Sequence, residues 1–351
     1  MTELQNNELL CIGNPLVDVF VDIDYSFSIK YGILNPAQHV DREKADVMLR
    51  DPLIDFSKAV KSSGGGAANV AKIAAMLGMN ASFSGCVGSD ELAEIFEKEI
   101  TGAGVNAMLA KSNEKTGICF ACNIGGETRF AASPGAALEL NETHISEELI
   151  GSAEVVVLDG YILDRRPLVQ HILRLASRRG IPVALDAASI FQVRAKAEEI
   201  LTYSRSYPLF IFMNADEVLA FYNTIRKSRD EEINLSEKEK EAIILRDVCP
   251  MLKIITDGEI FPIVVVKLGG RGAIVVAGGN VYREETFTVI PRNTVGAGDA
   301  FCAAFTAAWI RGKSLSECAA LGNKVAREIL EVPGTHIKSG KLKSFAKIFQ
   351  R

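Results

Sequence analysis

The residues best suited to chemistry lie near the carboxyl end, in Asn293-Thr294-Val295-Gly296-Ala297-Gly298-Asp299. Three small residues precede an acid, and the acid opens an apolar, alanine-rich run over 300–309. That run reads as a buried helix, entered through a glycine turn and ended by Gly312. Gly296 and Gly298 admit backbone angles closed to other residues, so successive N–H groups can converge on one point. A helix N-terminus adds partial positive charge there. Such a point suits a phosphate, or the charge that develops on one during transfer, and Asp299 stands beside it as a candidate base. The same residues also describe a tight loop with an acidic first helical turn, so the case needs further residues.

Leu9-Leu10-Cys11-Ile12-Gly13 is a short apolar run stopped by glycine, a buried first strand. Asn14 and Asp18 follow it, and ligands of open α/β sheets gather at strand carboxyl ends. A carboxylate there can accept from two vicinal hydroxyls; a turn acid is the alternative. Ser62-Ser63-Gly64-Gly65-Gly66-Ala67-Ala68-Asn69 then opens a helix through Met76 that Gly78 stops. Its glycines let backbone approach a ligand, and Asn69 can donate and accept. Alone, such a run can equally be punctuation, and it lacks dinucleotide-site spacing. Asn214-Ala215-Asp216-Glu217 follows the apolar run 209–213, and can be a capping box, a ligand site, or both. Lys267 closes another buried strand before Gly269, Gly270 and Gly272. It can reach a phosphate as a point charge or snorkel to water.

From 153 onward apolar strands alternate with helices, the pattern of a parallel sheet covered on both faces. Residues 19–40 alternate apolar and polar, as an edge hairpin or a short excursion from that sheet would. Residues 116–130 read as two strands joined at Gly125-Gly126, and 223–246 as a charged, solvated helical insertion.

Residues 293–299 resemble the carboxy-terminal signature of the ribokinase (PfkB-type) carbohydrate kinases, Asp-Thr-x-Gly-Ala-Gly-Asp, with Asn293 where Asp is usual. Residues 64–69 resemble that family's amino-terminal Gly-Gly element, and 214–217 its Asn-x-x-Glu motif. Residues 267–272 are similar to its Thr-x-Gly-x-x-Gly element, with Lys267 in place of Thr. The resemblance spans nearly the whole chain, and stretches 13–18, 25–31 and 116–122 look most like adenosine kinases. It implies an α/β, ribokinase-like fold: a mostly parallel central sheet with helices on both faces and a small β lid. The whole chain, 1–351, would be one kinase domain, with the lid formed by about 17–40 and 116–130.

The function implied is ATP-dependent transfer of the γ-phosphate to a hydroxyl of a nucleoside or sugar, with the adenosine 5′-hydroxyl as the expected acceptor. Ribose or fructose is the alternative acceptor, and a non-catalytic nucleotide-binding regulator the alternative from another class. The resemblance makes Asp299 the base, with the Gly296, Ala297 and Gly298 amides as an anion hole. It places Asn14, Asp18, Gly64, Gly65, Gly66 and Asn69 around the acceptor and closes Arg129 over the phosphates. Phe191 can cover a flat base. ATP would meet Asn214, Glu217, Lys267, Gly269, Gly272 and Asn323, with Mg²⁺ held at Asn214 and Glu217 through water. Many relatives are activated by K⁺ beside the anion hole. Asn293 offers a carbonyl oxygen without charge, so K⁺ activation is expected to be modest.

Composition agrees with this class. The 351 residues are 48% hydrophobic, enough for a large core, and the net charge of −5 gives no basic footprint for nucleic acid. No apolar run approaches a membrane span, and residues 1–8 do not read as a signal peptide. Seven scattered cysteines fit a reducing cytoplasm. Cys119 and Cys122 read as buried thiols, because no second pair or neighbouring His completes a zinc set. Gly312-Lys313-Ser314 mimics the tail of a P-loop, but the first glycine is missing and the stretch ends a helix. A monomer and a homodimer are both compatible with the chain.

Overall fold

The structure is a computed structural model. It describes residues 7–23, 25–35, 37–53, 59–124, 127–228, 235–258, 260, 262–287, 289, 295–330 and 339–349. Asn293 and Thr294 of the carboxy-terminal motif, and the expected turn Gly125-Gly126, lie outside these residues.

The larger sheet contains β1 (Asn7–Ile12), β5 (Ala81–Val87), β6 (Asn106–Lys111), β9 (Ala153–Asp159) and β10 (Val183–Asp186). It continues through β11 (Leu209–Asn214), β12 (Ile263–Lys267), β13 (Ala273–Ala277) and β14 (Asn280–Glu284). The order is β14-β13-β12-β11-β10-β9-β1-β5-β6. Pairing is parallel from β6 to β12 and antiparallel for β13 and β14. The chain runs outward from β1 through β5 to β6, then returns to β9 on the other side of β1 and runs outward again. Strand order therefore reverses between β1 and β9, where α/β sheets open a crevice at the strands' carboxyl ends.

Successive side chains of a strand point to opposite faces, and β1 shows both faces covered. Leu9 and Cys11 join a core with Ala67, Ala71, Phe301 and Phe305. Leu10 and Ile12 join a second core with Leu168, Ile172 and Val193. No helix of the described residues is long and apolar enough to cross a membrane.

A second sheet has the order β3-β8-β7-β2-β4. Its strands are β2 (Leu16–Asp22), β3 (Ala37–His39), β4 (Val60–Gly64), β7 (Gly117–Ile124) and β8 (Glu127–Ser133). Of the two readings of 19–40, an edge hairpin or a short excursion from the main sheet, the hairpin does not form. β2 pairs in parallel with β7, and a helix, Tyr25–Tyr31, follows it. Phe27 and Tyr31 of that helix are buried against the sheet's core, and helical spacing rather than alternation puts both on one face. β4 was not anticipated either. Val60-Lys61-Ser62-Ser63-Gly64 has little strand character, and it is extended because it pairs antiparallel with β2.

The described part of the charged segment 223–246 is helical and, as expected, mostly solvated, with one exception among its charges. Its helix Glu237–Ile243 buries Glu241, which is 5% exposed.

Candidate active site

The helix Ala297–Ile310 carries Asp299 in its first turn, and Gly296 caps it with φ 81°. Two ring contacts plant this helix on β11: Phe301 and Phe305 lie with centroids 6.4 and 5.4 Å from that of Phe212. Gly322, in the neighbouring helix Leu315–Leu330, leaves room for Phe301, since a Cβ there would stand 2.8 Å from the ring. On the other side Ala300, Ala303, Ala304 and Ala307 share the core with Ala67, Ala68, Ala71 and Ala74 of the helix Gly66–Met76. Small residues on both helices permit close approach, and Asn69 Nδ2 donates to Asp299 Oδ2 at 2.9 Å. The alanine-rich pattern thus places the acid as well as filling the core.

The three glycines of the turn before Gly66–Met76 each meet a different part of the site. A Cβ on Gly64 would stand 2.3 Å from the Asp18 carboxylate, and one on Gly65, at φ +99°, 2.2 Å from the Asn14 carbonyl oxygen. A Cβ on Gly66 would come within 3.7 Å of Asp299 Oδ1. Asn14, Asp18, Gly64, Gly65, Gly66, Asn69 and Asp299 are therefore brought together, at the point where strand order reverses.

Asn14 is held by a group the sequence did not flag. Arg165 Nη2 donates to Asn14 Oδ1 at 2.6 Å, and an arginine can only donate. The amide is thereby oriented, leaving its Nδ2 as the free donor of the pair. Asp18, beside it, is an acceptor. Burial pushes the Asp18 carboxyl up to about 7, against the opposing influence of Lys72 and a hydrogen bond from the Cys119 thiol, while Glu99 raises it further. Cys119 is thus a buried thiol, but one lying on Asp18. Lys72 also donates to Ser63 Oγ at 3.1 Å, beneath the glycine turn.

Two further acids went unread: Asp159 and Asp186, the last residues of β9 and β10, paired in register. The signal was present, because each is a carboxylate at the carboxyl end of an apolar strand. Lys267, at the end of β12, bonds Asp186 Oδ2 at 2.6 Å instead of snorkelling to water, and it lines the cavity described below. Burial alone would lower the pKa of Lys267, but Asp186 and Glu217 more than reverse this and hold it above its ordinary value. A Cβ on Gly298 would stand 3.2 Å from Lys267 Nζ, so the ammonium borders the glycine turn.

Asn214 and Glu217 form a capping box. Asn214 Oδ1 accepts from the Glu217 amide at 2.8 Å, and the Asn214 amide donates to Glu217 Oε2 at 2.7 Å. Asn214 Nδ2 also donates to Glu217 Oε1 at 2.8 Å. Glu217 is 4% exposed, and burial, then the nearby Asp186, push its carboxyl up to about 7 against the pull of Lys267. Asp299 is likewise pushed up to about 7, first by burial and then by Asp186, with Asn69 and Lys267 opposing and Asp159 adding.

On the far side of Gly298 a cavity of ≈ 350 Å³ opens. Lys267, Gly269, Gly272, Ala297, Phe287 and Asn323 are among its lining residues. Asp299 and its glycine turn thus stand between this cavity and the cluster of Asn14, Asp18 and the Gly64–Gly66 turn. Neither Arg129 nor Phe191 lines the cavity. Arg129 Nη1 donates to the Ile33 carbonyl at 3.2 Å on the smaller sheet, and Phe191 is 63% exposed in the first turn of the helix Ile190–Ser206.

A ribokinase-like α/β kinase is the class that this sheet order and this helix-borne acid define. Residues 27–341 match the pfkB family of carbohydrate kinases, and the chain belongs to that family. It is similar to the adenosine kinase of Schizophyllum commune, 26% identical with 95% of this chain and 98% of that protein covered. It also resembles 5-dehydro-2-deoxygluconokinase of Clostridium beijerinckii, 26% identical with 79% and 81% covered. Among solved structures, adenosine kinase from Sinorhizobium meliloti matches with a TM-score of 0.80 at 25% identity, covering 98% of this chain and 100% of that one. The protein is a phosphotransferase with an alcohol acceptor, and its family uses ATP and Mg²⁺.

Proposed function

We propose that the protein transfers the γ-phosphate of ATP to the 5′-hydroxyl of adenosine or a close nucleoside. The observation that carries the proposal is the position of Asp299, between the polar cluster of Asn14, Asp18 and Asn69 and the Gly269–Gly272 cavity. The acceptor sugar lies against Asn14, Asp18 and Gly64–Gly66, with Asp18 accepting from its vicinal hydroxyls and Asn14 Nδ2 donating. Its free hydroxyl faces Asp299, which takes the proton as the oxygen attacks the γ-phosphorus in line. The bond to the bridging oxygen breaks and ADP leaves. The amides of Ala297 and Gly298, unpartnered within their helix, and Lys267 meet the charge on the transferring group. Gly269, Gly272 and Asn323 enclose the nucleotide.

The donor set fits a hard cation held through water. Glu217 offers a buried carboxylate already occupied by Asn214, and the described residues contain no cluster of three or more ligands to grip a bare metal. Mg²⁺ there would neutralise charge on the phosphates. The smaller sheet, bearing Asp18 and Gly64, serves as a lid whose closure excludes water, with Arg129 carried on it.

Support for a nucleoside over a free sugar comes from similarity to adenosine kinases along nearly the whole chain. It comes also from two exposed rings, Tyr161 and Phe191, 45% and 63% exposed, just past the acids that end β9 and β10. Such rings can cover a flat base, with stacking worth about 0.5–1.5 kcal/mol per aromatic pair. ADP release across nucleosides and free sugars reads the assignment out. Adenosine should give the highest kcat/KM, and a regulator without turnover would release no ADP with any acceptor. For K⁺, Asn293 contributes an oxygen without a charge, so activation should be modest and should tighten in Asn293→Asp. Strong activation of the wild type at low K⁺ would contradict this.

A further inference from the structure

The charged segment after the helix Ala215–Arg226 reaches the wall of the cavity that the proposed function gives to ATP. Glu241 lies on the short helix Glu237–Ile243, and its side chain is 6% exposed. A carboxylate so buried is costly unless it is paired and hydrogen-bonded. Both its oxygens are used. Oε2 accepts from Arg271 Nε, and Oε1 from Arg283 Nε at 2.8 Å. Arg271 belongs to the tight turn Gly269–Arg271, whose Gly269 and Gly270 line the cavity.

Arg283 sits on β14 and donates through Nη1 to the Glu284 carbonyl at 2.8 Å. That carbonyl is the group against which Gly272 closes, since a Cβ on Gly272 would stand 2.1 Å from it. One carboxylate therefore ties the glycine turn to the strand it packs on. The preceding residue ties the other side: Lys240 Nζ bonds Asp216 Oδ1 at 2.8 Å, and Asp216 lies inside the Asn214–Glu217 box. The segment thus bonds the helix that follows β11, the turn between β12 and β13, and β14.

We propose that Glu241 is a positioning residue for the nucleotide donor, fixing the Gly269–Gly272 turn through Arg271 and Arg283. The inference rests on reading that cavity as the ATP site. It assigns the charged segment a task distinct from catalysis: Glu241 acts through the two arginines. Most rim ion pairs contribute little, but this one is desolvated on the acid side and shared by two guanidinium groups.

The test is steady-state kinetics of the full chain with ATP and acceptor varied separately. Glu241→Gln should raise the ATP KM by roughly threefold to thirtyfold, leaving kcat and the acceptor KM near wild type. Arg271→Met, at a side chain 41% exposed, keeps the fold and should give a smaller change of the same kind. Because Glu241 acts through Arg271, the effects of the two substitutions should fall short of additive in the double variant. Unchanged ATP KM in both single variants, with wild-type ATP turnover intact, would overturn the inference alone. Equal losses for ATP and acceptor would also overturn it, because that is general destabilisation. Absence of ATP binding by the wild type would overturn both the inference and the site reading beneath it.

Discussion

Asp299→Asn should lower turnover by roughly 10²–10⁴-fold, the contribution of a general base, while ATP still binds. The substitution is nearly isosteric, and Asn69 keeps a partner, so the two helices that frame the site should stay in place. The pH dependence gives an independent reading of the same group. A base must be ionised to act, and the Asp299 carboxyl is raised to about 7, first by burial and then by Asp186. The kcat/KM for the acceptor should therefore fall as pH drops through about 7. Asn69→Leu removes a hydrogen bond that favours the ionised form, so this limb should move to higher pH.

Stability should change in the opposite sense to activity. A carboxyl with a raised folded-state pKa binds its proton more tightly in the native chain than in the unfolded one. It lowers stability increasingly as pH rises from its unfolded pKa to about 7, and by its full amount above that. Asp299→Asn should thus raise Tm at pH 8 without ligand, a cost the active site imposes on the fold. Near wild-type turnover of the variant would remove Asp299 from its role.

Asp18→Ala should cut kcat/KM for the acceptor by a similar factor through a different cause. Asp18 lies on β2 opposite Ser62 of β4 and Cys119 of β7, with Gly64 leaving space for its carboxylate. Two hydrogen bonds from acceptor hydroxyls to a charged oxygen, at about 1.5–3 kcal/mol each, correspond to a loss on the order of 10²–10⁴-fold. The ATP KM should hold, because Asp18 stands on the far side of Asp299 from the Gly269–Gly272 cavity. Acceptors lacking one of the vicinal hydroxyls should lose activity with the wild type and little more with the variant. Equal damage to ATP and acceptor use would show that Asp18 supports the fold instead.

The local elements of the site were legible where one stretch of chain determines them. The Gly296–Asp299 turn, the helix Gly66–Met76 with its stop at Gly78, and the strand that leads to Asn14 each follow from neighbouring residues alone. What escaped depends on partners distant in sequence. β4 is a strand because β2 lies beside it, and Tyr25–Tyr31 is a helix because Phe27 and Tyr31 share a buried face. Glu241 looked solvated within a run of Lys and Glu, and its partners Arg271 and Arg283 come 30 and 42 residues later. Asp159 and Asp186 were visible as strand-end acids, but only the sheet order shows that both face the crevice. Lys267 had two readings in the sequence, and its pairing with Asp186 came only with the register that sets β10 two strands from β12.

The most direct measurement is a competition. The purified protein is given Mg²⁺ and ATP with adenosine, ribose and fructose at equal concentration, and the phosphorylated products are identified by mass. AMP should dominate, formed one for one with ADP, and Asp299→Asn should suppress it. Mainly a sugar phosphate would contradict the nucleoside assignment while leaving a kinase, and no acceptor-dependent ADP at all would contradict the kinase itself.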